Sequence, residues 1–129
     1  MKVDNSNGVL GEEYACRYLE KNVAKVLFRN FSCRWGEIDI IARKGRYLLF
    51  VEVKTRSSNM IAVPQAAVTA TKQRRILRTA MWFLKTHPTE LQPRFDVIAL
   101  TMDRYTDSVL NCNYIENAFG AEGGGYAPF

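Results

Sequence analysis

Between Gly8 and about Asn22 apolar residues recur at helical spacing, with Ala15, Cys16, Leu19 and Val23 on one stripe. Glu12 precedes the first two by three and four residues and shares that inward face, whereas Glu13, Arg17 and Glu20 lie off it. The period then shortens to that of strands. Ala24–Phe28 is a short strand, and Gly36–Arg43, alternating Glu, Ile, Asp, Ile, Ile, Ala, is a second. Lys44-Gly45 reads as a tight turn into a third strand, Tyr47–Thr55. Helical spacing returns in a region opened by Pro64, whose main body runs from about Thr71 to Thr86. There Ile76, Leu77, Ala80 and Leu84 oppose Arg74, Arg78 and Lys85, and His87-Pro88 stops the helix. Phe95–Thr101 and Val109–Ile115 are the last strands. The order αβββαβ(β) predicts an α/β fold with one mixed sheet flanked by helices. Residues 1–119 form one domain in this reading, followed by a flexible Gly-rich tail at 120–129.

The third strand carries the unusual chemistry. Tyr47-Leu-Leu-Phe-Val-Glu-Val-Lys54 is almost continuously apolar until Glu52, the pattern of a strand buried on both faces. An ionised carboxylate and an ammonium are costly there unless they pair or bind a metal. With Asp39 upstream they form Asp-x12-Glu-x-Lys. Alternation puts Glu37 and Asp39 on one face of the second strand and Ile38, Ile40 and Ala42 on the other. A two-residue loop at Lys44-Gly45 makes paired residue numbers sum to 89, so Glu37 faces Glu52 and Asp39 faces Phe50. Asp39 and Glu52 are then diagonal neighbours, roughly 7–8 Å apart. A three-residue loop would put the two charged sets on opposite faces.

Two carboxylates at that spacing suit Mg²⁺, which takes one or two carboxylates plus waters and phosphate oxygens. The expected chemistry is polarisation of a phosphate and activation of a water, with Lys54 orienting that water or stabilising the developing charge. Glu12 has two readings: a further ligand, direct or through water, or a first-turn glutamate favoured by the helix dipole. An amphipathic hairpin with its charges in solvent is the alternative for the whole set.

The remaining composition narrows the function classes. Eighteen Lys and Arg against 13 Asp and Glu leave a net charge of +5, which favours a polyanionic partner. Cys16, Cys33 and Cys112 are odd in number and form no Cys-x-x-Cys pair, which argues against a disulfide framework or structural zinc and fits a reducing cytoplasm. A single histidine, His87, argues against His-dependent triads and His-rich metal sites, and it needs no role beyond its loop. No apolar segment predicts a leader or a membrane span.

Several segments resemble the YraN-like family of predicted endonucleases, within the PD-(D/E)XK or restriction-endonuclease-like superfamily. They are Gly8-Val-Leu-Gly-Glu12 with Ala15 and Tyr18-Leu19, Gly36-Glu-Ile-Asp-Ile-Ile41 and Phe50-Val-Glu-Val-Lys-Thr-Arg56. Ala67-Val68, Lys72-Gln-Arg-Arg75, Arg94-Phe-Asp-Val97 and Asn117-Ala-Phe119 complete the match. The resemblance implies a sheet nuclease core, Asp39, Glu52 and Lys54 as the superfamily triad, and Glu12 as an accessory acid. The chain is also similar to archaeal Holliday-junction resolvases, which combine a helix glutamate with Asp and Glu-x-Lys. It departs from the family at Met60–Ala66, where a glycine and often an acidic residue are usual.

The expected function is therefore an Mg²⁺- or Mn²⁺-dependent endonuclease that cuts DNA by structure more than by sequence. The alternative is a catalytically silent protein of the same fold that binds nucleic acid or a repair partner. Arg56, Lys72, Arg74, Arg75 and Arg78 are the candidate phosphate contacts, with a solvated helix face the plainer reading of Arg74 and Arg78. Trp82, off the apolar stripe, has three candidate roles: stacking on a base, covering a homodimer contact, or capping the core edge.

Overall fold

A computed structural model describes residues 6–58 and 68–120. Met60–Ala66, the helix opening expected at Pro64, and the tail from 121 lie outside the described residues. The elements are α1 (Ser6–Asn22), β1 (Lys25–Cys33), β2 (Gly36–Lys44), β3 (Tyr47–Ser57), α2 (Ala70–Thr86), β4 (Gln92–Met102) and β5 (Val109–Phe119). They form the expected mixed α/β architecture, a five-stranded sheet in the order β1-β2-β3-β4-β5 with two helices. β3 and β4 run parallel, because α2 supplies the long crossover that a parallel pair needs. The other neighbours are antiparallel. Among the described residues no helix is long and apolar enough to cross a membrane.

The central strands are apolar on both sides because each side is covered. Ala15, Cys16 and Leu19 of α1 pack against Ile40, Ala42, Leu49, Val51, Ile98 and Leu100. Ile76, Ala80 and Phe83 of α2 pack against Ile38, Ile41, Leu48, Phe50 and Val97. The expected α2 stripe ended on Leu84, but Phe83 holds its centre and Leu84 is only partly buried. Phe83 meets the edges of Phe28, Phe31 and Phe50, with centroids 5.2, 5.1 and 5.9 Å away. His87 has a role after all: it caps α2 and lies flat on Phe83, centroids 4.2 Å apart.

β1 and β5 extend beyond the expected Phe28 and Ile115. Both are edge strands, mostly exposed or half-exposed, so hydrogen bonding continues after the apolar pattern has ended. β4 and β5 are also held by buried Asp96. It accepts two bonds from Arg94, at 3.0 and 2.9 Å, one from the Asn117 backbone N–H at 2.8 Å, and one from the Tyr114 hydroxyl. Asp96 is thus the structural partner of Arg94.

The β2–β3 hairpin turns at Gly45-Arg46, one residue later than expected, and Lys44 pairs with Tyr47. Gly45 has φ +57°, a conformation that glycine adopts without strain, and it occupies the first position of the two-residue loop. Paired residue numbers therefore sum to 91 rather than 89. A shift of two keeps the same side chains on the same face. The expectation that the charged faces coincide thus survives, although its individual pairings do not.

Candidate metal centre

The β2–β3 ladder ends at Ile40 and Val51. Continued regularly, it would set Asp39 across from Glu52 and Ile38 across from Val53, not Asp39 diagonal to Glu52 and Glu37 opposite it. Instead the Val53 N–H donates to Asp39 Oδ2 at 2.8 Å, so a side chain replaces the backbone acceptor. Strand alternation breaks at the same point. Ile38 packs on the α2 side while Ile40 and Ala42 pack on the α1 side, which corrects the grouping of all three on one face. On β1, Asn30 takes φ +53° between the pairs Arg29–Ile40 and Phe31–Ile38. The β1 ladder thus skips Asp39 without changing register, and the β3 ladder stops beside it at Ile40.

Glu52 lies one residue beyond the ladder and is 4% exposed. Its Oε2 is 2.7 Å from the Lys72 ammonium, in the first turn of α2. Its Oε1 is buried and has no hydrogen-bond partner among the described residues. An unsatisfied buried oxygen of this kind costs about 1–3 kcal/mol, more when charged. Burial, and then the charge of Asp39, push the Glu52 carboxyl up to about 7 against the pull of Lys72 and Lys54. Burial also raises Asp39, against the Val53 N–H bond. For Lys72 burial is the largest single influence and acts downward, but the Glu52 bond and the surrounding carboxylate charges carry its pKa above the ordinary value.

Glu12 approaches from α1. Gly11 allows this, since a Cβ there would lie 2.5 Å from Thr55 Oγ1 on β3. Glu12 is half-buried and hydrogen-bonds the Asn30 side chain; burial, then the charge of Asp39, raises its pKa. Even so, no group of three or more His, Cys, Asp or Glu side chains is gathered closely enough to hold a metal among the described residues. Asp39 and Glu52 are together, and Glu12 stands behind Asp39. Lys54 and Arg56 are half-buried on β3, whereas Arg74, Arg75 and Arg78 are exposed on α2.

The residues present fit a hard divalent cation. Two carboxylates meet in a low-dielectric setting, burial holds both above their ordinary pKa despite Lys72, and one oxygen lacks any partner among the described residues. Lys72 is the feature that sequence reasoning placed differently, as a phosphate contact, when its ammonium is the counter-ion of Glu52. Nothing in its local sequence signals this, because the contact depends on where α2 begins relative to the end of β3. Asn30, which carries no periodicity signal at all, was likewise missed.

Residues 11–100 match the model of the uncharacterised protein family UPF0102. The chain belongs to UPF0102. The YraN-like resemblance read from its sequence is a resemblance to this family. A UPF0102 protein of Geobacter metallireducens is 45% identical over 117 residues, spanning 90% of this chain and 93% of the relative. One from Geobacter sulfurreducens is 45% identical over 113 residues, 87% of each chain. Another, from Syntrophotalea carbinolica, is 51% identical over 96 residues, 74% of this chain and 78% of its own. The UPF0102 segment encloses Glu12, Asp39, Glu52, Lys54 and Lys72, so the whole candidate centre lies within the part that defines the family.

Proposed function

We propose that this UPF0102 protein is a metal-dependent endonuclease of the PD-(D/E)XK type that hydrolyses DNA phosphodiester bonds in branched structures such as junctions or flaps. The observation that carries the reading is the buried Asp39–Glu52 pair with an unpartnered Glu52 Oε1. Asp39 and Glu52 would hold Mg²⁺ or Mn²⁺, with Glu12 as an accessory acid. The bound ion supplies Lewis-acid polarisation of the scissile phosphate and lowers the pKa of the attacking water.

The chain's own residues do the rest. The Val53 N–H fixes the Asp39 carboxylate, so one ligand is pre-oriented before any ion arrives. Lys54, on the Glu52 face of β3, orients the water and stabilises the negative charge that develops on the phosphate. Lys72, whose side chain is half exposed, would be free to meet the DNA backbone if a cation took its place beside Glu52. Arg56 and the exposed Arg74, Arg75 and Arg78 add phosphate contacts that carry no sequence information. The setting is the cytoplasm, and a homodimer would present two such centres to a four-way junction.

One observation favours a second reading. Lys72 already balances Glu52 without a metal, which suits a silent nuclease-fold protein that only binds nucleic acid or a repair partner. A panel of end-labelled flap, four-way-junction and linear DNAs separates the two. Wild type should cut branched DNA with Mg²⁺ or Mn²⁺ and not with chelator. Glu52→Ala and Lys54→Ala should lose about 10³-fold or more in rate while remaining folded by circular dichroism. No cleavage by wild type in either metal, or normal cleavage by both variants, leaves the binder.

A further inference from the structure

Both tryptophans of the chain line one surface groove that the candidate metal centre does not use. Trp35 sits in the β1–β2 turn and Trp82 on the outer side of α2. With Arg34, Arg78, Met81 and Lys85 they enclose about 340 Å³. Three of the six lining residues are cationic and none is acidic. Trp35 is 37% exposed, Trp82 42% and Met81 54%, which is much apolar surface to leave beside water. The Arg34 and Arg78 guanidinium groups lie over the Trp35 ring, 5.0 and 5.2 Å from its centroid. The groove is built rather than incidental: Gly36 lets the turn close on α2, where a Cβ would come within 3.2 Å of Thr79 Oγ1.

We propose that this groove is a stacking platform for unpaired nucleotides of single-stranded DNA. Trp82 offers an indole face for base stacking, Trp35 and the guanidinium planes over it extend that platform, and the surrounding cations match the phosphates of the same strand. A protein partner would call for acidic side chains to match these three cations; a nucleic acid supplies both counterparts at once. Trp82 lies ten residues beyond Lys72 on α2, about 15 Å along the axis at 1.5 Å per residue. A strand leaving the metal centre along α2 therefore has about 15 Å to cover before it reaches the groove. The proposal rests on the nuclease reading only in taking nucleic acid as the ligand.

Because these are the only two tryptophans, indole fluorescence reports on the groove alone. Oligothymidylate titrated into the full chain with chelator present should quench that emission saturably, whereas heparin, a polyanion without bases, should not. Trp35→Ala and Trp82→Ala should each weaken oligothymidylate binding about tenfold or more, and Trp82→Phe should keep most of the affinity. Binding seen by anisotropy without quenching, alanine variants that bind like wild type, or no binding would overturn the proposal. So would emission that changes with protein concentration alone, which would make the groove a contact between two copies. Chelator removes cleavage from the measurement. Quenching by a protein that cuts nothing therefore sinks the nuclease reading and leaves this one standing, and cleavage without quenching does the reverse.

Discussion

At pH 8, Glu52→Gln is expected to be more stable than the wild type while cutting no DNA. The folded Glu52 carboxyl titrates at about 7 because burial and Asp39 oppose its charge, against an ordinary value of 4.5. A raised folded pKa favours the folded state fully below the unfolded value, and that contribution is lost as pH rises through 7. A shift of this size corresponds to about 3 kcal/mol. Asp39 is raised as well, so it acts with the same sign. Glutamine keeps the shape and an acceptor for Lys72 but carries no charge to bury. Urea unfolding at pH 5, 6, 7 and 8 without divalent ions should show wild-type stability falling, mainly up to pH 7, and the variant falling less, by the part that Asp39 contributes. A variant that is weaker than wild type at pH 8 would mean that Lys72 compensates Glu52 fully and that the site holds no surplus negative charge.

Asp96→Ala is expected to cost about 3–5 kcal/mol, enough to leave much of the population unfolded at 37 °C in a domain of ordinary stability. Asp96 is fully buried, and its two oxygens take all four bonds from Arg94, Tyr114 and the Asn117 backbone. Removing it leaves a guanidinium that is only 13% exposed beside Glu116, 3.9 Å away and itself half in solvent. The Tyr114 hydroxyl loses its acceptor, and the Asn117 N–H, at φ +52°, has no strand partner to replace it. Chemical denaturation of Asp96→Ala, with Asp96→Asn as a milder comparison, measures the effect. A loss under about 1 kcal/mol for the alanine variant would show that β5 is held by its ladder alone.

The contrast between these two acids explains what the sequence made legible. Asp96 and Glu52 both interrupt apolar strands, and for Glu52 burial followed from that pattern. Their roles diverge through partners. Arg94 is two residues from Asp96 and so visible locally, whereas Lys72 lies twenty residues beyond Glu52 across a crossover. Face and parity were readable in the β2–β3 hairpin because the side-chain period is two; the turn position was not, since Lys44-Gly45 and Gly45-Arg46 are equally good two-residue loops until glycine's φ is fixed. The break in alternation at Asp39 was invisible for a further reason. It exists because an Asp39 oxygen takes the Val53 N–H, a tertiary choice that leaves Glu-Ile-Asp-Ile looking like an ordinary alternating strand.

If the proposed chemistry holds, Asp39 and Glu52 share one divalent cation. Calorimetric titration of the DNA-free protein with Mn²⁺ at several pH values tests it most directly. Binding should be saturable, tighten as pH rises toward and past 7, when Glu52 gives up its proton, and disappear in both Asp39→Asn and Glu52→Gln. Binding that survives both substitutions, or no binding at any pH up to 8, would contradict it.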